Sequence, residues 1–428
     1  MSLSASVGSF AVNTSTGNQA VTGVGFQPSM VLFFTPVAHT ADGNAVHAFS
    51  AFGVGLSSTA RRAIAHAQHD NQGTSVGGLR AATTRCVATI VGTGTEPFAL
   101  DFVSHDSDGF TVNVTTAPES GRIVCFMAIG GTDLTNSAVR SITSPTATGN
   151  QAYTGVGFTP DCVVLFGVRT TAETIFTTSS IRYGIGWATS STARGYSGSG
   201  DERSAGTSNT ARKQRTDKCF ALVNETGGVR IECDLVSMDA DGFTLNWSTV
   251  EASALYLYCL AIKGGQIKVG SFSMGTATGN EAVTGVGFQP VALMFLSADK
   301  VAGSVGAVNA RQGIGFAVSS TSRAAAAYGS TDGQDFTIAD TRLDRTRCLT
   351  LIQEGTPTVT DEHDFVSMDS DGFTLNHLTA SGTAKEVLYL ALGSTAAAVT
   401  PTGVGAHGAM YPRMQQHIHQ SWTVPRVG

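Results

Sequence analysis

Six aspartates stand in the pattern most suggestive of chemistry: Asp106 and Asp108, Asp239 and Asp241, Asp369 and Asp371, each pair written DxDG. Carboxylates at that spacing ahead of a glycine open many calcium loops, because calcium takes six to eight oxygen ligands. A pair of carboxyls could also hydrolyse a glycoside, provided that the two sit about 5 to 9.5 Å apart and burial keeps one protonated. The residues after the glycine argue for neither. They read FTVN or FTLN, an alternating run with no acidic residue closing a loop. Asp-Gly between two alternating runs is a hairpin signal, since both residues tolerate positive φ. We therefore read the motif as a turn; Asp101, Asp234 and Asp364, five residues before the first Asp of each pair, would add a partner for an ion but also fit solvent-facing strand positions.

Other candidates reduce in the same way. GVGF at Gly23, Gly155 and Gly285 superficially resembles a nucleotide loop, but a Pro follows two residues after each Phe, so a turn between strands is expected. SSTAR at Ser57 and Ser190 and SSTSR at Ser319 end in Arg61, Arg194 and Arg323. Turn hydroxyls that satisfy the backbone, with each Arg paired to a nearby Asp, explain them; an inter-subunit or glycan contact is the functional alternative. The ten histidines share no slot; His66 and His69 read as surface residues, and His417 with His419 forms an HxH lacking a third ligand. No GxSxG elbow and no phosphate loop is present. The expectation is a non-enzyme with no catalytic, cofactor-binding or metal residues.

These motifs belong to a larger unit. Asp108, Asp241 and Asp371 are 133 and 130 residues apart, and Gly17, Gly149 and Gly279, in the block TGNxAxTGVGFxP, are 132 and 130 apart. Two blocks with one period mean a unit of about 130 residues written three times, each large enough for its own core. Charged residues are only 14%, Gly counts 50, and hydrophobic residues reach 42%. That mix reads as short strands and tight turns. The net charge of −6, with RKQR at Arg212 to Arg215 as the longest basic run, argues against nucleic acid; that run is expected to be a solvated loop. Cys86, Cys219 and Cys348 recur in one slot and read as small buried strand residues in a chain folding in a reducing cytoplasm. No signal peptide or membrane span is evident.

The expected fold is all-β: three tandem antiparallel β-sandwich (jelly-roll-like) domains at 8–131, 140–264 and 270–394, each of about eight or nine strands, after a polar lead at 1–7. Linkers are expected at Thr132 to Val139 and Gln266 to Val269. The loop VAHTADGN is expected to vary between units, and HAFSAFGVGLSS to carry small residues where strands approach closely. Residues 395–428 belong to no repeat and, with Met410, Tyr411, Met414 and Trp422, read as an extended arm that docks on a neighbouring subunit, with a strand that packs back on the third unit as the alternative.

The two blocks, TGNxAxTGVGFxP and VSxDxDGFTLN closing in MAIGG or YLALG, resemble a module of tailed-bacteriophage virion proteins, found among minor tail and head-associated components. The resemblance covers all three units. It implies a virion structural protein made in the host cytoplasm, decorating the capsid or tail through contacts with other virion proteins, in part through 395–428. A homo-oligomer on the particle is expected, with neither nucleic acid nor membrane as partner. A receptor- or carbohydrate-binding virion protein is the alternative. The resemblance brings no catalytic residues with it.

Overall fold

Each repeat folds as eleven strands because its apolar residues alternate, and the alternation serves two different cores. In the first repeat these are β1 (Ser4–Ala11), β2 (Gly17–Thr22), β3 (Met30–Thr35), β4 (Gly43–Val46), β5 (Ala48–Gly55), β6 (Arg61–Gln68), β7 (Gly77–Ala82), β8 (Val87–Ala88), β9 (Ala99–Asp106), β10 (Gly109–Thr116) and β11 (Ile123–Gly130). The second repeat continues as β12–β22, from Leu134–Thr143 to Tyr256–Gly264, and the third as β23–β33, from Gln266–Ser273 to Glu386–Gly393. The computed structural model describes residues 2–177, 179–355 and 357–395, so the expected arm lies, beyond Thr395, outside the described residues.

All pairing is antiparallel, and each repeat is a sandwich of two unequal sheets. In the first repeat the smaller is β2-β10-β9-β8 and the larger runs β1-β11-β3-β5-β6-β7. Along β3, Val31 and Phe33 face the smaller sheet in the repeat's own core. Met30, Leu32 and Phe34 face the other way, into a core shared by all three repeats. There Phe34 meets Phe316 of the third repeat at 4.9 Å between ring centroids, and Phe52 meets Phe166 of the second at 5.2 Å. Burial on both faces is why such strands read as unbroken apolar runs.

The larger sheets are completed by exchange. The two-residue strand β15 (Ile175–Phe176) of the second repeat pairs with β7 of the first. The third repeat's β26 (Gly306–Val308) pairs with β18 (Thr210–Arg215) of the second. The first repeat's β4 pairs with β29 (Ala339–Asp344) of the third. Each repeat lends one strand and borrows one, so the cycle closes into a pseudo-threefold ring.

This arrangement revises several boundaries. Ser4 to Val7, expected as a lead, pair with β11. Most of both expected linkers is strand, because β12 and β23 begin within a few residues of the preceding repeat's last strand. The loop VAHTADGN runs into β4, the lent strand. RKQR is no solvated loop: it lies in β18, where Arg212 is 8% exposed and donates to the carbonyls of Val308 at 2.6 Å and Asn309 at 2.8 Å. The borrowed strand covers it. Two-residue and exchanged strands carry little alternation of their own, which is why eight or nine were expected and not eleven.

The small residues of β5 have a specific cause. A Cβ on Gly53 would stand 1.9 Å from the Cys86 carbonyl oxygen. The same-slot glycines Gly186 and Gly315 would meet the Cys219 and Cys348 carbonyls at 2.2 and 1.8 Å. The backbones of the two sheets touch at this point in every repeat. The cysteines themselves are fully buried, and all seven thiols are free.

Candidate functional site

The two repeated sequence blocks are two halves of one clasp. Gly23 N–H donates to Asp108 Oδ2 at 3.0 Å and Gly25 N–H to Oδ1 at 2.6 Å. Gly155 and Gly157 bind Asp241 in the same way, at 3.0 and 2.6 Å, and Gly285 and Gly287 bind Asp371 at 3.1 and 2.6 Å. These glycines have positive φ, near 80° to 92°, which turns the two alternate N–H groups toward one carboxylate, while the valine N–H between them donates to the backbone carbonyl of the same Asp. The two N–H donors hold the Asp241 carboxyl below the usual carboxylate range. The first Asp of each pair is also engaged: Asp106 accepts from Ser104 and Thr111, Asp239 from Ser237 and Thr244, Asp369 from Ser367 and Thr374. Both carboxylates of the motif thus act as turn acceptors that pin strand ends.

The SSTAR blocks are likewise structural. Ser57 Oγ accepts from the N–H groups of Thr59 and Ala60, and Ser190 and Ser319 repeat the turn. Arg61, Arg194 and Arg323 pair with Asp101, Asp234 and Asp364 at 3.5, 2.5 and 2.5 Å. Those aspartates are half-buried partners of arginine and not free surface carboxylates.

Two polar groups that the sequence did not single out lie inside. The first is on the pseudo-threefold axis, where β6, β17 (Arg194–Glu202) and β28 (Ser322–Ser330) approach. His66, expected at the surface, is fully buried there, its ring 4.3 Å from that of Tyr328 and 4.7 Å from that of Tyr183. It shares a strand slot with Ser199 and Tyr328, whose hydroxyls are 2.7 Å apart. Two residues further along each strand stand Gln68, Asp201 and Ser330, all buried. Burial lowers His66 to about 3 and pushes Asp201 up to about 7, the Ser330 hydroxyl beside it only partly offsetting the loss of water. Neither Asp201 oxygen has a well-formed hydrogen bond among the described residues.

A raised carboxyl pKa makes Asp201 a destabilising group once the unfolded chain can ionise. Its cost is absent below pH about 4, grows as pH rises toward 7, and is constant above. Asp201→Asn is expected to stabilise the protein little at pH 4 and by up to about 4 kcal/mol at pH 8, three pKa units at about 1.4 kcal/mol each. Urea denaturation at the two pH values checks this; an equal gain at both would sink it.

The second group is peculiar to the third repeat: Glu281, Asp361, His363, His377 and Lys385. Because the acids and histidines of this group are not shared by the other copies, and only Lys385 has a like residue in its slot, Arg122 of the first repeat, a comparison of repeats for shared motifs passes over them. Position-by-position differences between copies would have found them.

Open clefts lie where the first and second strands of a repeat diverge. In the second repeat a cleft of about 520 Å³ is lined by Arg140, Gln151, Tyr153, Phe243 and Tyr256 among others, and the same place in the third repeat holds about 380 Å³ beside Phe272 and Glu281. Among the described residues no helix is long and apolar enough to cross a membrane.

No protein-family profile matches the sequence, and no curated protein is similar to it. Among solved structures, the chain aligns with that of Sulfolobus Turreted Icosahedral Virus at 8% identity, covering 86% of this chain and 80% of that one, with a TM-score of 0.13. With the Dit protein of phage SPP1 the identity is 10%, over 61% and 93% of the two chains, at a TM-score of 0.11. With OpdQ of Pseudomonas aeruginosa it is 8%, over 92% and 98%, at 0.13. Scores this low reflect shared strand content and carry no argument about fold or role.

Proposed function

We propose that this chain is a structural protein of a tailed-bacteriophage particle, decorating or stabilising the head or tail surface through protein–protein contacts. The observation that supports this most is the closed ring. Three covalently linked sandwiches exchange strands around one shared core, giving a compact body with threefold pseudosymmetry and three outward-facing small sheets. The strand-exchange sites also present apolar side chains to solvent: Val46 on β4 is 55% exposed and Val308 on β26 is 64% exposed. Such positions suit contacts with neighbouring subunits. Linked copies raise one another's effective concentration, so weak contacts per repeat add up to firm attachment.

A host-adhesion reading is favoured by one feature. The cleft of the second repeat combines Tyr153 and Tyr256 with Arg140 and Gln151, an aromatic and hydrogen-bonding lining suited to a sugar. Cryo-electron microscopy of the intact particle tests the structural reading, which expects density for the ring on head or tail. Absence of the chain from purified particles would overturn it. Glycan-array binding lost in Tyr256→Ala would move the role to adhesion.

A further inference from the structure

The interior of the third sandwich is charged where the other two are apolar. His363 pairs across the strands with His377; the same pair is Cys233 with Trp247 in the second repeat and Leu100 with Val114 in the first. Asp361 stands where the second repeat has Ile231, and Glu281 where the others have Gln151 and Gln19. His363, His377 and Asp361 are completely buried. Burying such groups costs free energy, and two copies of the same sandwich fold without them. The fold therefore does not require them, and a site with a ligand gives a reason for their presence.

Their arrangement names the ligand. His363 Nε2 lies 3.1 Å from Glu281 Oε2, and His377 Nδ1 lies 3.2 Å from Glu281 Oε1. All three donor atoms fall within 4.8 Å of one another. A tetrahedral zinc ion with bonds near 2.0–2.1 Å separates its ligands by about 3.3 Å, close to both observed spacings. The other ring nitrogen of His377, Nε2, lies 3.3 Å from Asp361 Oδ1 without a well-formed hydrogen bond, so a small turn of the ring would bring it to the carboxylate–histidine support that orients metal-binding imidazoles. Glu281 also lines the cleft of about 380 Å³, which gives an ion an entry path and an open coordination position.

We propose that Glu281, His363 and His377 bind one zinc-class divalent transition ion, at a mixed imidazole and carboxylate site found once among the described residues. The two rings are stacked, 4.1 Å apart and 16° from parallel. An ion shared by both nitrogens must lie near both ring planes, so binding turns the rings out of this stack. The same turn brings His377 Nε2 onto Asp361 as its outer partner, and a water molecule from the cleft completes the tetrahedron.

The test is zinc titration by calorimetry on the full metal-free chain, with cobalt absorption as a second readout. Glu281→Gln installs the residue that both other repeats carry, so the fold is expected to tolerate it. His417→Ala/His419→Ala removes the HxH at the other end of the chain. The proposal expects one zinc per chain, unchanged in the double variant, at least about tenfold weaker in Glu281→Gln, and tetrahedral cobalt bands that disappear in the same variant. Absence of zinc binding, equal binding in Glu281→Gln, or binding lost only with His417 and His419 would each overturn it.

Discussion

Expressed alone, the second repeat (residues 134–265) is expected to fail as a folded monomer. In the ring, the inner face of its larger sheet presents Val164, Phe166, Ile181, Tyr183, Ile185, Trp187 and Leu260 to the shared core, each no more than 1% exposed. Burial of one such side chain contributes about 1.5–3 kcal/mol. Uncovering seven of them together therefore forfeits about 10–21 kcal/mol, as much as or more than the roughly 5–15 kcal/mol that holds an ordinary domain folded. The isolated repeat also loses the strand it borrows, leaving β18 an open edge, while its own β15 has no sheet to join. Two outcomes fit: an aggregating chain without a cooperative melt, or a trimer in which three identical repeats lend strands around the same cycle. Size-exclusion chromatography with light scattering distinguishes them. A soluble monomer melting near the temperature of the full chain would contradict the shared core as the main source of stability.

Gly315→Ala should be among the most damaging single substitutions. The added methyl would sit 1.8 Å from the carbonyl oxygen of Cys348, and no rotamer change relieves a clash with backbone. The two sheets of the third sandwich would have to part at the point where they meet most closely. Overpacking of this kind costs about 3 kcal/mol or more, a fall in melting temperature of about 4 °C or more for a body of this size. Gly206→Ala provides the control, since its Cβ meets nothing within 4 Å and its φ is not positive. Differential scanning fluorimetry of both variants decides the matter. Equal melting temperatures would mean that the sheets separate without cost.

Much of this architecture is written in the chain, though unevenly. The period of about 130 residues, the all-β class and the turn role of the DxDG aspartates follow from spacing and alternation, because hairpins are local events. The pairing of Asp108 with Gly23 and Gly25 joins two blocks more than 80 residues apart, and only their common period hinted at it. The exchange of β4, β15 and β26 was not legible. Strands of two to four residues leave no measurable alternation, and a partner in another repeat has no sequence signature. His66 was misplaced for a related reason. On an axis where three strands converge, Ser199 and Tyr328 fill the equivalent slots, so a polar residue in an otherwise apolar run can be buried there. The Glu281, His363 and His377 group escaped because a motif found once in three copies looks like drift until the strands bring it together.

The ring also has a seam. Leu3 N–H donates to Ser394 Oγ at 2.8 Å, and Asp133 at the first junction accepts from Thr395 N–H at 2.9 Å. The start of the first repeat thus meets the end of the third where the other junctions are continuous backbone. The order of the repeats along the gene is, for this body, a choice of where to cut a circle. Circular permutants opened near Leu134 or Gln266 would trace the same ring with the seam moved by a third of a turn.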